Sequence, residues 1–466
     1  VTRESRGGWA TAAAAGSLVG ALLFAAAPAW PDDWDGLGFL ASVKRFDLDA
    51  FAPHPPGYPV YVALLKVASA VVPDAMDAAK VVLALSGAMT VTLLTMALGA
   101  VVKAPIGWRA LLALAVLATP LGFRCSTGVG SEAPALAFTS LAVYGLAAGS
   151  PLAIGVGVGL GLGVRLSWAP LLLPLILLAP RRRTAVAGAS ASTLAWAVPL
   201  AAIVGPAHLA RLSWTHVAGH ATRWGGTAVT EPSRVRFLLR DLFVDGLGVD
   251  GDALGIAVLL LVVVSALLCL SAWRRAGWVG VRAVSLVVAP YLLWVAVGQN
   301  LREQPRHVVP LVALLALGFA VAAWVDRRAR VACLLLFALV ATRTGFDASA
   351  RRGDPPAGAA LVAYVRSLPD ASRVLVFGGP SIRFFQPTEL ASRAWSVESM
   401  GDVEMTLTRV NGPPARILVT SEIADRGVSS AAVELASSVT TFCRPPRIDR
   451  KAPCIDVYSV DPARLR

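Results

Sequence analysis

Residues 31–59 read PDDWDGLGFLASVKRFDLDAFAPHPPGYP, and they gather groups that can move a proton. Asp32, Asp33 and Asp35 directly follow a long apolar run, and His54 stands in a cluster of prolines. A carboxylate within hydrogen-bond reach of a hydroxyl can serve as a general base. A solvated acidic loop is the simpler account of such a segment, but three features argue for more. The aspartates abut the end of the apolar run rather than the tip of a loop. GLGFLASVKRF is apolar enough to lie as a helix along a membrane interface. In HPPGYP, proline fixes φ and glycine permits a tight reversal. The segment reads as one built to hold a carboxylate and a histidine near lipid. A second titratable group lies in HLARLSWTHVAGHATRWGGT, where His216 and His220 stand i,i+4, a spacing that suits zinc on a helix face. No HExxH pattern and no cysteine accompanies them, so they read as polar groups of a cleft or cap. VLVFGGPS has two glycines after a strand but lacks the full GxGxxG of a dinucleotide site.

The elements that must carry these residues are membrane spans. The chain has 466 residues, is 56% hydrophobic and only 15% charged, where a soluble domain carries about 25% charged residues. Apolar runs near spanning length recur at about 9–30, 79–102, 109–123, 133–149, 184–205, 253–273, 283–298, 308–325 and 331–343. Residues 152–180 add two short spans that turn near RLSW, which brings the expected number to eleven. The first run, about 20 residues of apolar chain, reads as an uncleaved anchor rather than a signal peptide. The segment YPVYVALLKVASAVVP, 58–73, reaches only about 24 Å as a helix, short of the core of about 30 Å. It reads as an interfacial helix with Lys66 snorkelling.

Charge orients these spans. The net charge is +13. With the N-terminus inside, one side of the membrane receives Arg3 and Arg6, KAPIGWR, RRR, WRRAGWVGVR and DRRAR. Together these hold thirteen Arg and Lys residues and only Glu4 and Asp326 as acids. That is the positive-inside pattern. It accounts for the basic excess without nucleic acid, which would call for a soluble basic domain or aromatic interleaving. The Asp-rich segment, the loops at 124–132 and 206–252, GQNLREQPRH and the C-terminal tail fall on the other side.

From about residue 350 the composition changes. AALVAYVRSLPDASRVLVFGG reads as an amphipathic helix, a turn and a buried strand; ARILVTSEI as a second strand; SSAAVELASSV as a helix; CIDVYSVD as a last strand. This is a small extracytoplasmic α/β domain over 346–466, following a membrane domain over 1–345. In an oxidising compartment Cys443 and Cys454 suit a disulfide. Cys125, Cys269 and Cys333 sit in or beside apolar runs and read as packing residues.

DGLGFLASVKRFDLDAFAPHPPGYPVYVALLKV resembles the first outer loop of GT-C membrane glycosyltransferases, the fold relatives of protein O-mannosyltransferases and aminoarabinose transferases. It is most similar to a bacterial branch whose loop carries an Asp, a short helix and HPPGYP. In that pattern the Asp is Asp35; the inserted FDLD lengthens the spacing to His54 and keeps Asp33 as a rival. FRCSTGVGSEAPALAFTSLAVYGL resembles the second outer loop and following span, with Glu132 at the acidic position. GLGLGVRLSWAPLLL resembles the short paired spans, with Arg165 at their outer turn. REQPRHVVPLVALLAL resembles the entry to a late span, with Arg306 and with His307 where an aromatic is common. The likeness runs over about 9–345 and leaves the tail uncovered.

The resemblance implies an inverting hexosyl- or pentosyltransferase of the inner or plasma membrane, N-terminus cytoplasmic and C-terminal domain extracytoplasmic. A sugar on a polyprenyl-phosphate donor passes to a hydroxyl of a protein, lipid or glycan at the outer face. Asp35, or Asp33, removes the acceptor proton. His54, Arg165, Arg306 and His307 meet the leaving phosphate, and Glu132, His216 and His220 serve the acceptor or a second acidic role. Trp214 and Trp224 suit a sugar face or the interfacial aromatic belt. No cofactor is required; a divalent metal is possible, but the cationic set favours a monophosphate donor without one. The rival is a membrane transporter or flippase of lipid-linked or envelope precursors. Its family usually places polar groups within spans and shows internal repeats. A non-catalytic envelope subunit is a third reading, open if Asp35 and Asp33 are dispensable.

Overall fold

In lipid an apolar run must satisfy its peptide groups internally, and a helix does so within one segment. The computed structural model follows that rule; it describes residues 3–222, 226–231, 233–275, 281–397, 402, 405–407, 414–423, 426–444 and 454–465. The chain divides into two units, Val1–Pro28 with Ser42–Ser349, and Ala29–Ala41 with Ala350–Arg466.

The first unit is helical. Its helices are α1 (Arg3–Ala26), the end of α2 (Trp34–Lys44), α3 (Pro59–Ser69), α4 (Ala75–Val101), α5 (Ile106–Leu117), α6 (Pro120–Thr127), α7 (Glu132–Ala147) and α8 (Pro151–Val164). There follow α9 (Ala169–Leu177), α10 (Arg182–Val204), α11 (Pro206–Thr222), α12 (Arg234–Leu239), α13 (Ala253–Arg275), α14 (Val281–Gly298), α15 (Val309–Val325) and α16 (Arg327–Gly353). Among the described residues six helices suffice by length and composition to cross a membrane, seven if α5 and α6 form one bent span. The chain is a multi-pass membrane protein. Four further apolar helices, Pro59–Ser69, Pro151–Val164, Leu166–Leu177 and Val284–Gly298, are shorter than the roughly 20 residues of a straight crossing. Eleven full crossings are therefore not reached on length alone.

The small residues of GVGVGLGLG set the packing around α8. A Cβ on Gly157 would lie 2.7 Å from the Phe138 carbonyl and the Ala142 amide of α7, and one on Gly155 would strike the Ala185 carbonyl of α10. Glycine lets three backbones approach, the means by which apolar helices associate without a hydrophobic driving force. The expected single span at 109–123 is instead broken by 81° between α5 and α6. Thr119 accepts a hydrogen bond from Gly122 N at 3.1 Å, and Pro120 stands at the first helical position. A fresh helix start thus interrupts the apolar run. The helix expected to end near 343 continues to Gly353. In α3, Val60, Tyr61, Val62 and Leu65 are buried while Lys66 is exposed.

The second unit holds a five-stranded sheet in the order β2-β1-β3-β5-β4, with β1 (Val374–Gly378), β2 (Ala394–Ser396), β3 (Arg416–Thr420), β4 (Ala436–Cys443) and β5 (Cys454–Val460). β1 runs parallel to β2 and β3, and β5 antiparallel to β3 and β4. β1 is apolar throughout because both its faces are covered. Val374 and Val376 pack with Leu361, Val362 and Val365 of α17 (Ala357–Ser367), and Leu375 and Phe377 with Ala432 of α18 (Arg426–Leu435). Residues expected as helix to 439 turn to strand after Leu435. Cys443 and Cys454 face one another across β4 and β5 and are bridged.

Residues 29–41, expected in the membrane domain, group with this unit, and its second segment begins at 350 rather than 346. Leu37 belongs to its core and Trp30 and Trp34 pack against it. Asp32 is held by Arg351 and by Arg444 Nη1 at 3.0 Å. Both guanidinium groups are almost fully buried, and an unpaired buried charge is costly, so Asp32 ties this segment in place.

Candidate functional site

Glu132 opens α7, where the helix dipole favours a carboxylate. Gly130 leaves it room, since a Cβ there would strike Glu132 Oε2. Arg165 stands where α8 ends, in extended backbone with φ −152° and ψ 94°. Its side chain is only 4% exposed. Nη1 donates to Glu132 Oε1 at 2.6 Å and to Ser131 Oγ at 2.8 Å, and Nη2 lies 3.3 Å from His307 Nδ1. A guanidinium only donates, so that last bond requires Nδ1 to be unprotonated, with the imidazole proton on Nε2. Arg306 Nε lies 3.5 Å from the same Glu132 oxygen. Tyr291 of α14, itself buried, donates its hydroxyl to the His307 carbonyl at 2.7 Å and fixes the short turn Pro305–Val308 that carries Arg306 and His307.

The result is one carboxylate against two guanidiniums in a buried place. With His307 neutral the cluster keeps one net positive charge. Among the described residues Arg165 Nε is buried without a hydrogen-bond partner, so the most constrained cation retains a donor. Charge taken out of water is expensive unless paired, and ionisable groups inside a membrane bundle mark sites of function. This arrangement can receive an anion of one or two charges.

A second cluster forms around the HPPGYP turn. His54 Nε2 is 2.7 Å from Tyr58 Oη. The His54 ring stacks on His216 at 5.4 Å, and His216 meets His220 edge-on at 4.9 Å. Gly57 takes φ +103° and Tyr58 φ +48°. A left-handed tyrosine is strained and persists only where its surroundings over-determine it. His208, bound to Asp49 at 2.9 Å, links α11 to the same loop. Among the described residues no group of three or more His, Cys, Asp or Glu is arranged to hold a metal ion.

The site residues expected from sequence thus fall into three groups. Glu132, Arg165, Arg306 and His307 come together; His54, His216 and His220 come together; Asp33 and Asp35 belong to the other unit. There Asp33 Oδ1 accepts from Gly36 N at 2.9 Å, an N-cap for α2. Asp35 lies in the first turn of that helix. Burial lowers the Arg383 pKa, and the negative charge of Asp35 works against that shift. Sequence reasoning missed Ser131, Tyr58 and Tyr291. Ser131, directly before Glu132 at a helix start, carried a signal; Tyr291, within an apolar run, carried none. Trp214 is exposed on α11, and Trp224 lies outside the described residues.

A search of protein-family models found no match, and a search of curated proteins found none. Among solved structures, ArnT from Cupriavidus metallidurans in the apo state is similar at 15% identity and a TM-score of 0.45, over 98% of this chain and 98% of that one. ArnT from the same organism bound to undecaprenyl phosphate is similar at 16% identity and a TM-score of 0.45, over 97% and 98%. A likeness this distant transfers no activity to the chain.

Proposed function

We propose that the protein is an integral membrane glycosyltransferase of GT-C type that takes a sugar from a polyprenyl-phosphate donor. The observation that carries this reading is the buried, net-positive cluster of Arg165, Arg306 and His307 around Glu132 in a bundle of apolar helices. A lipid phosphate needs an apolar setting for its tail and fixed cations for its head. The undecaprenyl phosphate bound to ArnT is a ligand of that class.

In the proposed reaction an acceptor hydroxyl oxygen bonds to the anomeric carbon as the carbon–oxygen bond to phosphate breaks. The hydroxyl proton passes to a carboxylate, and the electron pair leaves on polyprenyl phosphate. Donors preorganised where that charge develops are worth more than donors in water. Arg165 and Arg306 are assigned this role, with His54 as a further phosphate ligand. Asp35 is assigned as the base and Asp33 as its rival. That assignment, the inverting course and the outer-face acceptor rest on the sequence pattern. The N-cap bond gives Asp33 a structural task that favours Asp35 for the chemistry.

The alternative is a flippase of the same lipid. The buried ion pair favours it to a degree, because transporters place charge inside the bundle. Purified protein in proteoliposomes separates the two. With a labelled polyprenyl-phosphate sugar and an acceptor extract, a transferase releases polyprenyl phosphate as acceptor becomes labelled. A flippase moves the intact donor between leaflets and releases none. Movement without release would overturn the proposal.

A further inference from the structure

The second unit contains a cleft that includes Asp33, the rival base above, but whose other lining residues have no part in the proposed chemistry. It is lined by Asp32, Asp33, Trp34, Ser381 and Glu422, with the first turn of α17 at Ala357 and Gly358. Its cavity volume is about 20 Å³, enough for one water-sized group, which needs about 10–15 Å³. Ser381 is fully buried, and among the described residues its Oγ has no hydrogen-bond partner. An orphan buried hydroxyl costs about 1–3 kcal/mol, a cost that a hydrogen-bonding ligand would offset. The Ser381 amide, by contrast, is satisfied, donating to Glu422 Oε2 at 2.8 Å. That bond fixes the residue against the carboxylate.

The chemistry of the lining selects its ligand. Ionised carboxylates only accept, so the ligand must donate; Ser381 Oγ both donates and accepts, and its complement is a group that does the same. The first peptide N–H groups of α17 lack intrahelical acceptors and supply donors. A hydroxyl meets all of these in the volume of one water. An ammonium group accepts nothing, and Arg351 and Arg444 on Asp32 oppose its charge. Trp34 adds an aromatic surface, on which the C–H face of a sugar ring can rest while its hydroxyl enters. Gly358 shapes the opposite wall, where a Cβ would strike the Phe384 ring.

We infer that this cleft is a carbohydrate-binding site, which takes one hydroxyl of a neutral glycan between Ser381, Glu422 and the aspartates, with the ring on Trp34. The inference does not depend on whether the helical unit transfers sugar. It is tested with the full-length protein in lipid nanodiscs and mannobiose, cellobiose, maltotriose and xylotriose as probes, by saturation-transfer NMR. At least one saccharide gives a signal, Ser381→Ala weakens it about tenfold, one hydrogen bond's worth, and Ser381→Leu abolishes it. Ser381→Ala keeps or raises the melting temperature, because it removes an unsatisfied group. Arg165→Ala, which cripples the proposed transferase, leaves the signal intact. Silence across the panel overturns the inference. So does a signal that Ser381→Leu leaves unchanged, or one lost with Arg165→Ala, which would assign the saccharide to the helical unit. A lowered melting temperature in Ser381→Ala with unchanged binding would reduce the cleft to a structural water site.

Discussion

Replacing Arg165 by alanine removes three contacts at once: Glu132 at 2.6 Å, Ser131 at 2.8 Å and His307 at 3.3 Å. Glu132, 2% exposed, then retains the Arg306 contact at 3.5 Å. Leaving one partner of a buried pair uncompensated costs about 3–5 kcal/mol; with Arg306 still present the lower end, about 3 kcal/mol, is expected. Glu132→Gln relieves that burden, so the double variant is more stable than Arg165→Ala alone. Lipid binding moves differently. Losing a charge-assisted hydrogen bond of about 1.5–3 kcal/mol weakens a phosphate ligand about 10- to 150-fold. Glu132→Gln removes a carboxylate from the cluster and raises its net charge by one, so polyprenyl phosphate binds as tightly or tighter. Equilibrium unfolding in mixed micelles reads the first effect, and native mass spectrometry with polyprenyl phosphate reads the second. The reasoning fails if Glu132→Gln abolishes lipid binding while Arg165→Ala does not. In that case the carboxylate, not the guanidinium, would hold the ligand.

Asp35→Asn lowers turnover about 10²–10⁴-fold, the usual contribution of a general base, with donor affinity retained. Asp33→Asn, which preserves an N-cap, is milder in both rate and stability; single-turnover assays with labelled donor rank the two, and the reverse order would make Asp33 the base. Asp32→Asn removes the charge facing two buried guanidiniums and destabilises the C-terminal unit by about 3 kcal/mol or more, read by protease sensitivity of the full chain. Reducing the Cys443–Cys454 bridge, which closes a short loop of sequence separation 11, costs that unit about 2–4 kcal/mol and leaves lipid binding unchanged. Glu389 has a pKa lowered chiefly by its hydrogen bonds from Arg366. A depressed carboxylate contributes stability above its unfolded pKa and loses it as pH falls through the folded value. Glu389→Gln therefore flattens the acid limb of the unfolding profile below about pH 4.3.

Where physics is local, the sequence was legible. Length and hydropathy marked α10 and α13, short apolar runs rich in Val and Ile marked β1 and β3, and two cysteines in a polar tail marked the bridge. The break between α5 and α6 was also written there: ATPLGF carries a capping threonine and a proline at the first helical position, a start signal that the continuous hydropathy concealed. β4 hid behind SSAAVELASSV, whose first half is helical. Its second half pairs with β5, a strand that sequence reasoning could find but could not align. The placement of residues 29–41 was not legible at all. Asp32 and Arg444 are 412 residues apart, and no periodicity connects a segment after the first span to the last strands of the chain.

The same gap explains why the candidate site was only half readable. Each cation could be found alone, as a basic residue at the end of an apolar run, and snorkelling accounts for such a residue equally well. What separates the two is burial and mutual arrangement. A snorkelling arginine keeps its head in water, whereas Arg165 is nearly inaccessible and holds Glu132, Ser131 and His307 with its two terminal nitrogens. Such a centre is costly to desolvate, and apolar residues of similar volume would often be as stable. Its presence therefore calls for something other than stability. A net-positive group enclosed by apolar helices meets that need by binding an anion that itself carries a long apolar tail.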